Sequence, residues 1–329
     1  MRNAHQMGIE TRIERISRAL AQRSTRRPLG LPSLRSGSYR RVHHGWYLPV
    51  EFWEALSDED RHLARLLAIR RVAATSPVFS HVSAAVLLDL PIYGESGSKV
   101  HTIVGPRGSG RPSDGLIRHK SRLHEGDIVE IAGLRCTSPE RTLLDLSCTE
   151  PAELALACVD GYLRSEFRVD RSIDRARLGE WQHDMERRLH ERRAARGIRT
   201  ARTVFALATP ILDSVLESVS HLQLRRLGFE LELQVPVPGP NGRPYYVDFE
   251  FLGLELFGEC DGKAKYTDPE LRGGLTAEQL VYRDKRRQDW ICGSTGKGLI
   301  RWGHPDVLTV RHLARRLRAF NVPIPRPPD

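Results

Sequence analysis

The stretch from Tyr245 to Asp261 constrains this chain most. Tyr245–Phe251 (YYVDFEF) reads as one strand and Leu254–Asp261 (LELFGECD) as the next, with Gly253 in the turn between them. Asp248 lies inside an apolar and aromatic run. Glu259 and Asp261 are two residues apart, so both project from one face of the second strand. In a hairpin of these strands Asp248 can approach Glu259. Carboxylates gathered this way repel one another unless a cation lies between them, and hard oxygen ligands suit Mg²⁺ or Mn²⁺. Lys263 continues the same face if the strand runs on. A lysine beside such a metal orients or deprotonates a water and steadies a phosphate.

The flanks fit this centre. Asp213–Leu227 has helical periodicity through Val215, Leu216, Val219, Leu222 and Leu224, carries Glu217, and stops at Gly228. Glu230–Val237 alternates as a strand, and Pro238–Gly242 turns the chain. After a polar loop, Thr276 caps a helix over Ala277–Trp290, Leu299–Trp302 is a fourth strand, and Asp306–Phe320 a closing helix. That last helix should turn Val307, Val310, Leu313 and Leu317 inward and Arg311, Arg315, Arg316 and Arg318 outward. The Pro-rich tail, Pro323–Asp329, is expected to be disordered.

This order resembles the PD-(D/E)xK, or restriction-endonuclease-like, superfamily, and within it the very-short-patch-repair-like endonuclease domains. The likeness is carried by Glu217-Ser218, Val247-Asp248-Phe249, Gly258 through Tyr266, Arg283 through Trp290, and Leu299 through Trp302, roughly the last third of the chain. It implies four strands flanked by helices and a metal-dependent endonuclease. Asp248 and Glu259 would hold Mg²⁺ or Mn²⁺, Asp261 would be a further ligand or neighbour, and Glu217 would tune the site. One departure matters. With Glu259 as the acid of the motif, the lysine position holds Asp261; with Asp261 as the acid, Lys263 fits but the register moves by two. Lys263 and Lys285 therefore both stand as candidates to position the attacking water. Lys265, Arg286 and Arg287 are expected at the DNA.

The remainder reads as a separate α+β module. Ile9–Gln22 is an amphipathic helix with Ile9, Ile13, Ile16 and Leu20 on one face. Ser38 through Tyr47 is a basic, aromatic, strand-like segment that looks like the wing of a winged helix-turn-helix, with Arg40 and Arg41 toward DNA. Residues 51–76 are helical behind a Ser57 cap, and Val82–Leu90 is a helix with Ser83 as its cap. Lys99–Val104, Leu116–Lys120 and Gly126–Ile131 are short strands. Ser138 caps a helix that begins at Pro139. The segments HVSAAVLLDLPI, VHTIVGP and TSPERTLLDL, together with the wing, resemble AbiEi-like antitoxins of abortive-infection type IV systems over residues 38–165. Glu140, Arg141 and Asp145 read as caps and local ion pairs. His119 and His124 read as surface residues, and His81 as a packing residue rather than a ligand. Residues 168–202 are the most basic region. Trp181, Met185 and Leu189 form a narrow apolar stripe that suggests one helix, either a solvated connector or a helix that tracks phosphates.

These readings give five parts: a degenerate winged helix at 1–48, an AbiEi-like domain at 49–166, a basic helical linker at 167–210, a nuclease domain at 211–321 and the tail at 322–329. With 51 basic against 41 acidic residues the net charge is +10, which fits a solvated basic surface as well as a polyanionic partner; the carboxylate cluster tips the reading toward nucleic acid. Five cysteines without a CxxC, no signal-peptide core and no membrane-length apolar run lead us to expect a cytoplasmic chain. Two other functions stay open: a non-catalytic DNA-binding regulator or antitoxin, and an interaction module for a cognate toxin or defence-system protein.

Overall fold

The spacing of Ile9, Ile13, Ile16 and Leu20 produces helix α1 (Arg2–Ser24), in which all four side chains are buried. The computed structural model describes residues 2–24, 39–94, 99–106, 108, 115–261 and 276–328. It divides into two compact units, Met1–Ala208 and Thr209–Asp329. The architecture is mixed α and β, with several small sheets. Among the described residues no helix is long and apolar enough to cross a membrane.

In the first unit the basic segment forms a hairpin of β1 (Tyr39–His43) and β2 (Trp46–Pro49), which turns at Gly45 with φ +76°. Residues 51–76 give two helices, α2 (Val50–Glu54) and α3 (Asp58–Val72). The break is at Ser57, whose hydroxyl accepts the N–H of Asp60 at 3.1 Å and starts α3. Arg12 and Arg15 of α1 hold the buried Asp60 at 2.7 Å each.

A five-stranded sheet follows, made of β3 (Val78–Phe79), β4 (Val100–Val104), β5 (Leu116–Lys120), β6 (Ile128–Ile131) and β7 (Leu134–Thr137). Its order is β5-β4-β3-β7-β6, with β4–β5 and β3–β7 parallel. Helix α4 (His81–Leu87) leaves β3. Its N-cap residue is Ser80, and Ser83, expected as the cap, lies inside the helix. The Ser83 hydroxyl instead accepts the His101 backbone N–H and meets His62 Nε2, both at 2.8 Å.

Helix α5 (Pro139–Thr149) begins as its sequence requires, with Ser138 at the cap and proline in the first turn. Arg141 and Asp145 pair along it at 2.9 Å, both buried, and the Tyr162 hydroxyl donates to Glu140 at 3.1 Å. Helix α6 (Ala152–Phe167) is almost wholly buried. Trp181, Met185 and Leu189 lie on a single helix, as their spacing suggests, and residues 168–202 hold more than that helix. They give a short hairpin, β8 (Arg168–Val169) and β9 (Ser172–Ile173), then α7 (Arg175–Glu191) and the start of α8 (Ile198–Leu207). The break falls at Gly197, in the left-handed region at φ +79°; a Cβ there would lie 1.9 Å from the Cys148 carbonyl oxygen. Met185 and Leu189 pack with Leu144, Ile198 and Ala201, so the stripe belongs to this unit's interior.

The second unit runs α9 (Val215–Arg226), β10 (Leu231–Val237), β11 (Tyr245–Phe251), β12 (Leu256–Cys260), α10 (Ala277–Thr295), β13 (Gly298–Trp302), α11 (His304–Val307) and α12 (Val310–Ala319). The sheet order is β10-β11-β12-β13. The first three strands are antiparallel, and β12–β13 is parallel, as a return through a helix allows. Phe249 stacks on Trp302 with ring centroids 5.7 Å apart. Gly258 sits under that ring: a Cβ at this position would come within 2.4 Å of a Trp302 ring carbon. Two expectations need correction here. Arg316 does not point outward but donates to the Arg301 carbonyl at 2.8 Å. The described part of the tail is anchored, with Val322 buried and the Arg326 N–H donating to the Leu227 carbonyl at 2.8 Å.

Candidate active site

The N-terminus of α9 is built by Ser214, whose hydroxyl accepts the Glu217 N–H at 3.2 Å and donates back to the Glu217 carboxylate at 2.8 Å. The Asp213 N–H and the Gln234 Nε2 each donate to the other Glu217 oxygen at 2.8 Å. Glu217 is buried, and that burial pushes its carboxyl above the usual range despite these donors.

Gln234 is the residue that sequence reasoning missed. Along Leu231–Val237 the apolar side chains alternate, which assigns Gln234 to the polar, outward set. The structure instead holds it at φ +51°, buried, with its amide nitrogen 3.2 Å from Asp248 Oδ1 as well as 2.8 Å from Glu217. A left-handed backbone is unusual for a residue with a Cβ and marks a position that its surroundings enforce. One amide thus ties a carboxylate from α9 to a carboxylate from β11.

Asp248 and Glu259 are brought opposite one another but not into contact with a shared ligand. The β11–β12 ladder ends at Phe249–Gly258, one step before them. Asp248 Oδ2 takes the Cys260 N–H at 2.7 Å, a donor that a longer ladder would direct at the β11 backbone. Glu259 is directed elsewhere. Arg287 of α10 and Arg301 of β13 ion-pair with its two oxygens, Arg301 Nη2 at 3.0 Å. Arg287 also donates to the Tyr246 carbonyl at 2.6 Å. Asp261 is half-buried, and its N–H donates to the Trp302 carbonyl at 2.8 Å. Cys260 faces α9, away from Glu259, with Sγ 3.1 Å from the Ser220 hydroxyl; burial pushes this thiol well above its ordinary value.

The other site candidates separate clearly. Lys263 and Lys265 lie outside the described residues. Lys285 is exposed, and two residues along a helix place it about 200° round from Arg287, so it does not face Glu259. The water-positioning role given to Lys285 is corrected on that ground. Arg286 is exposed, with its guanidinium 5.9 Å from the Tyr282 ring centre. Arg287, expected at the DNA, is ion-paired with Glu259. Arg40 and Arg41 are exposed on β1.

The chain is similar to two curated proteins of Mycobacterium tuberculosis. These are the uncharacterized protein MT2308 of strain CDC 1551/Oshkosh and the uncharacterized protein Rv2248 of strain ATCC 25618/H37Rv, each 30% identical over 181 residues. The match takes in 54% of this chain and 57% of each relative, so the chain spans little more than half the length of the curated relatives it matches. No family model matches.

The donor chemistry can be tested against a divalent ion. Mg²⁺ is usually bound through one or two carboxylates with waters and substrate phosphates. Glu217 and Asp248, which already converge on one nitrogen, suit that role. Glu259 as placed does not, because both its oxygens answer to arginines. Among the described residues, Asp248, Glu259 and Asp261 do not bring three ligand atoms within 4.8 Å of one another; His81, His101 and His119 do. That grouping corrects the reading of His119 as an isolated surface residue.

Proposed function

We propose that residues 209–329 form a metal-dependent DNA endonuclease of the restriction-endonuclease-like class, preceded by an AbiEi-like module that engages DNA or a protein partner such as a cognate toxin. The observation that carries this reading is the sharing of the Gln234 amide by Glu217 and Asp248, on a helix-then-hairpin scaffold in the superfamily's element order. When bound, Mg²⁺ or Mn²⁺ polarises the phosphodiester and lowers the pKa of a water. Glu217 and Asp248 would hold that ion. Gln234 orients both carboxylates through one N–H each, and the Cys260 N–H fixes the far oxygen of Asp248. Arg287 and Arg301 carry the charge a phosphate seeks, and a DNA phosphate competes with Glu259 for them.

A second reading rests on one observation. Glu259 has its charge satisfied by two arginines, an arrangement that needs no metal. A DNA-binding regulator or antitoxin with the same fold and no hydrolysis fits that pairing. The test uses the full chain, supercoiled plasmid, and Mg²⁺ or Mn²⁺. Nicking that Asp248→Ala abolishes supports the nuclease. Salt-sensitive binding with no nicking in either ion overturns it in favour of the regulator.

A further inference from the structure

We propose that His81, His101 and His119 bind one borderline transition-metal ion of the Zn²⁺ type in the first unit, with a fourth position left for water or an external ligand. The site is built by topology. β4 and β5 pair in parallel with His101 opposite Ile117, and the two-residue period returns His119 to the same face as Ile117. His81, the first residue of α4, lies over that face, its ring stacked on His119 with centroids 3.6 Å apart.

Three features suit a metal. One ligand atom from each histidine falls within 4.8 Å of the others. His119 Nε2 and His101 Nδ1 are 3.1 Å apart, and two imidazole nitrogens on a tetrahedral ion at about 2.0–2.1 Å would be roughly 3.3 Å apart. His81 Nδ1 contacts the Ser80 hydroxyl at 2.9 Å, which assigns Nε2 to the ion and supplies the outer contact that metal-bound imidazoles use.

The backbone gives an independent sign. His81 has φ +52°, a left-handed conformation at a residue with a full side chain. The supporting shell is also firm: the His101 N–H is held by Ser83, and Ser83 by the buried His62. His81 is buried and His101 half-buried, so the three rings meet out of bulk water. Arg141 and Arg192 bear on His81, but both are ion-paired with Asp145 at 2.9 Å. Three imidazoles with no carboxylate among them favour Zn²⁺, Co²⁺, Ni²⁺ or Cu²⁺ over Mg²⁺. The two proposed sites therefore differ in metal as well as in place.

The experiment takes the full chain after EDTA treatment, with Zn²⁺ binding followed by equilibrium dialysis and Co²⁺ binding by visible absorption. The expected result is one Zn²⁺ per chain, unaffected by excess Mg²⁺ or by Asp248→Ala, and the intense Co²⁺ bands of a four-coordinate nitrogen-rich site. His101→Ala and His119→Ala each weaken binding by at least about tenfold, while His183→Ala, on the exposed side of α7, leaves it unchanged. Absence of the Co²⁺ bands in the unmutated chain overturns the proposal without relying on any variant. Zn²⁺ binding that both histidine variants leave intact overturns it as well.

Discussion

Replacing Gln234 by leucine and, separately, by glycine isolates what this residue contributes. The leucine variant removes the amide that donates to Glu217 at 2.8 Å and to Asp248 at 3.2 Å. A hydrogen bond to a charged group is worth about 1.5–3 kcal/mol. Glu217 keeps its Ser214 and Asp213 donors and Asp248 keeps the Cys260 N–H, and the longer bond is the weaker, so the expected loss is about 2–3 kcal/mol. For a unit the size of residues 209–329, each kcal/mol moves the transition by about 4 °C, so its midpoint falls by about 8–12 °C. Glycine loses the same bonds but relieves the left-handed backbone at φ +51°, a difference of about 1–2 kcal/mol in its favour. Calorimetry of the full chain reads both numbers. In the plasmid assay either variant should nick about 10–100-fold more slowly, as loss of a ligand-orienting partner does. A leucine variant as stable and as active as the unmutated chain would refute the role given to this amide. A glycine variant no better than leucine would refute the strain.

Other consequences are open to measurement. Arg141, whose side chain is 2% exposed, pairs with Asp127 at 3.0 Å and Asp145 at 2.9 Å. Arg141→Met should cost about 3–5 kcal/mol in the first unit, toward the low end because Arg188 and Arg192 also reach those acids. A loss under about 1 kcal/mol by calorimetry contradicts the buried network. Gly258→Ala should cost about 1–3 kcal/mol through the clash with Trp302, and near-UV dichroism of that indole should change with it. His221 is lowered from 6.5 to about 4 by burial and by Arg225. The unfolded chain thus takes up the proton first as pH falls through 6.5. Stability that is full above that value is lost toward pH 4, at about 1.4 kcal/mol per pH unit. Denaturation of the second unit at about pH 7 and about pH 5 should differ by about 2 kcal/mol more in the unmutated chain than in His221→Phe.

Features set by neighbours in sequence were legible in it. Ser138 with Pro139, the Thr276 cap of α10 and the strand around Asp248 all follow from local periodicity and capping. The hairpin register that sets Asp248 opposite Glu259 was legible too. Where those carboxylates point was not. Gln234 intervenes from another strand, through a backbone angle that no alternation pattern announces. Arg287 and Arg301 reach Glu259 from a helix and a strand that come 28 and 42 residues later. The histidines were hidden for a related reason. His101 and His119 meet only because β4 and β5 run parallel, and nothing local in VHTIV or LIRHK declares that pairing.

Cys260 turns the seam between α9 and β12 into something that can be timed. Its thiol is sealed against Ser220 and adjoins both the strand position of Glu259 and the N–H that secures Asp248. An alkylating reagent reaches it only when that seam opens, so in a chain whose other four cysteines are replaced, the labelling rate is a clock for local opening. Ligands that quieten the region would slow the clock, whatever chemistry they undergo there.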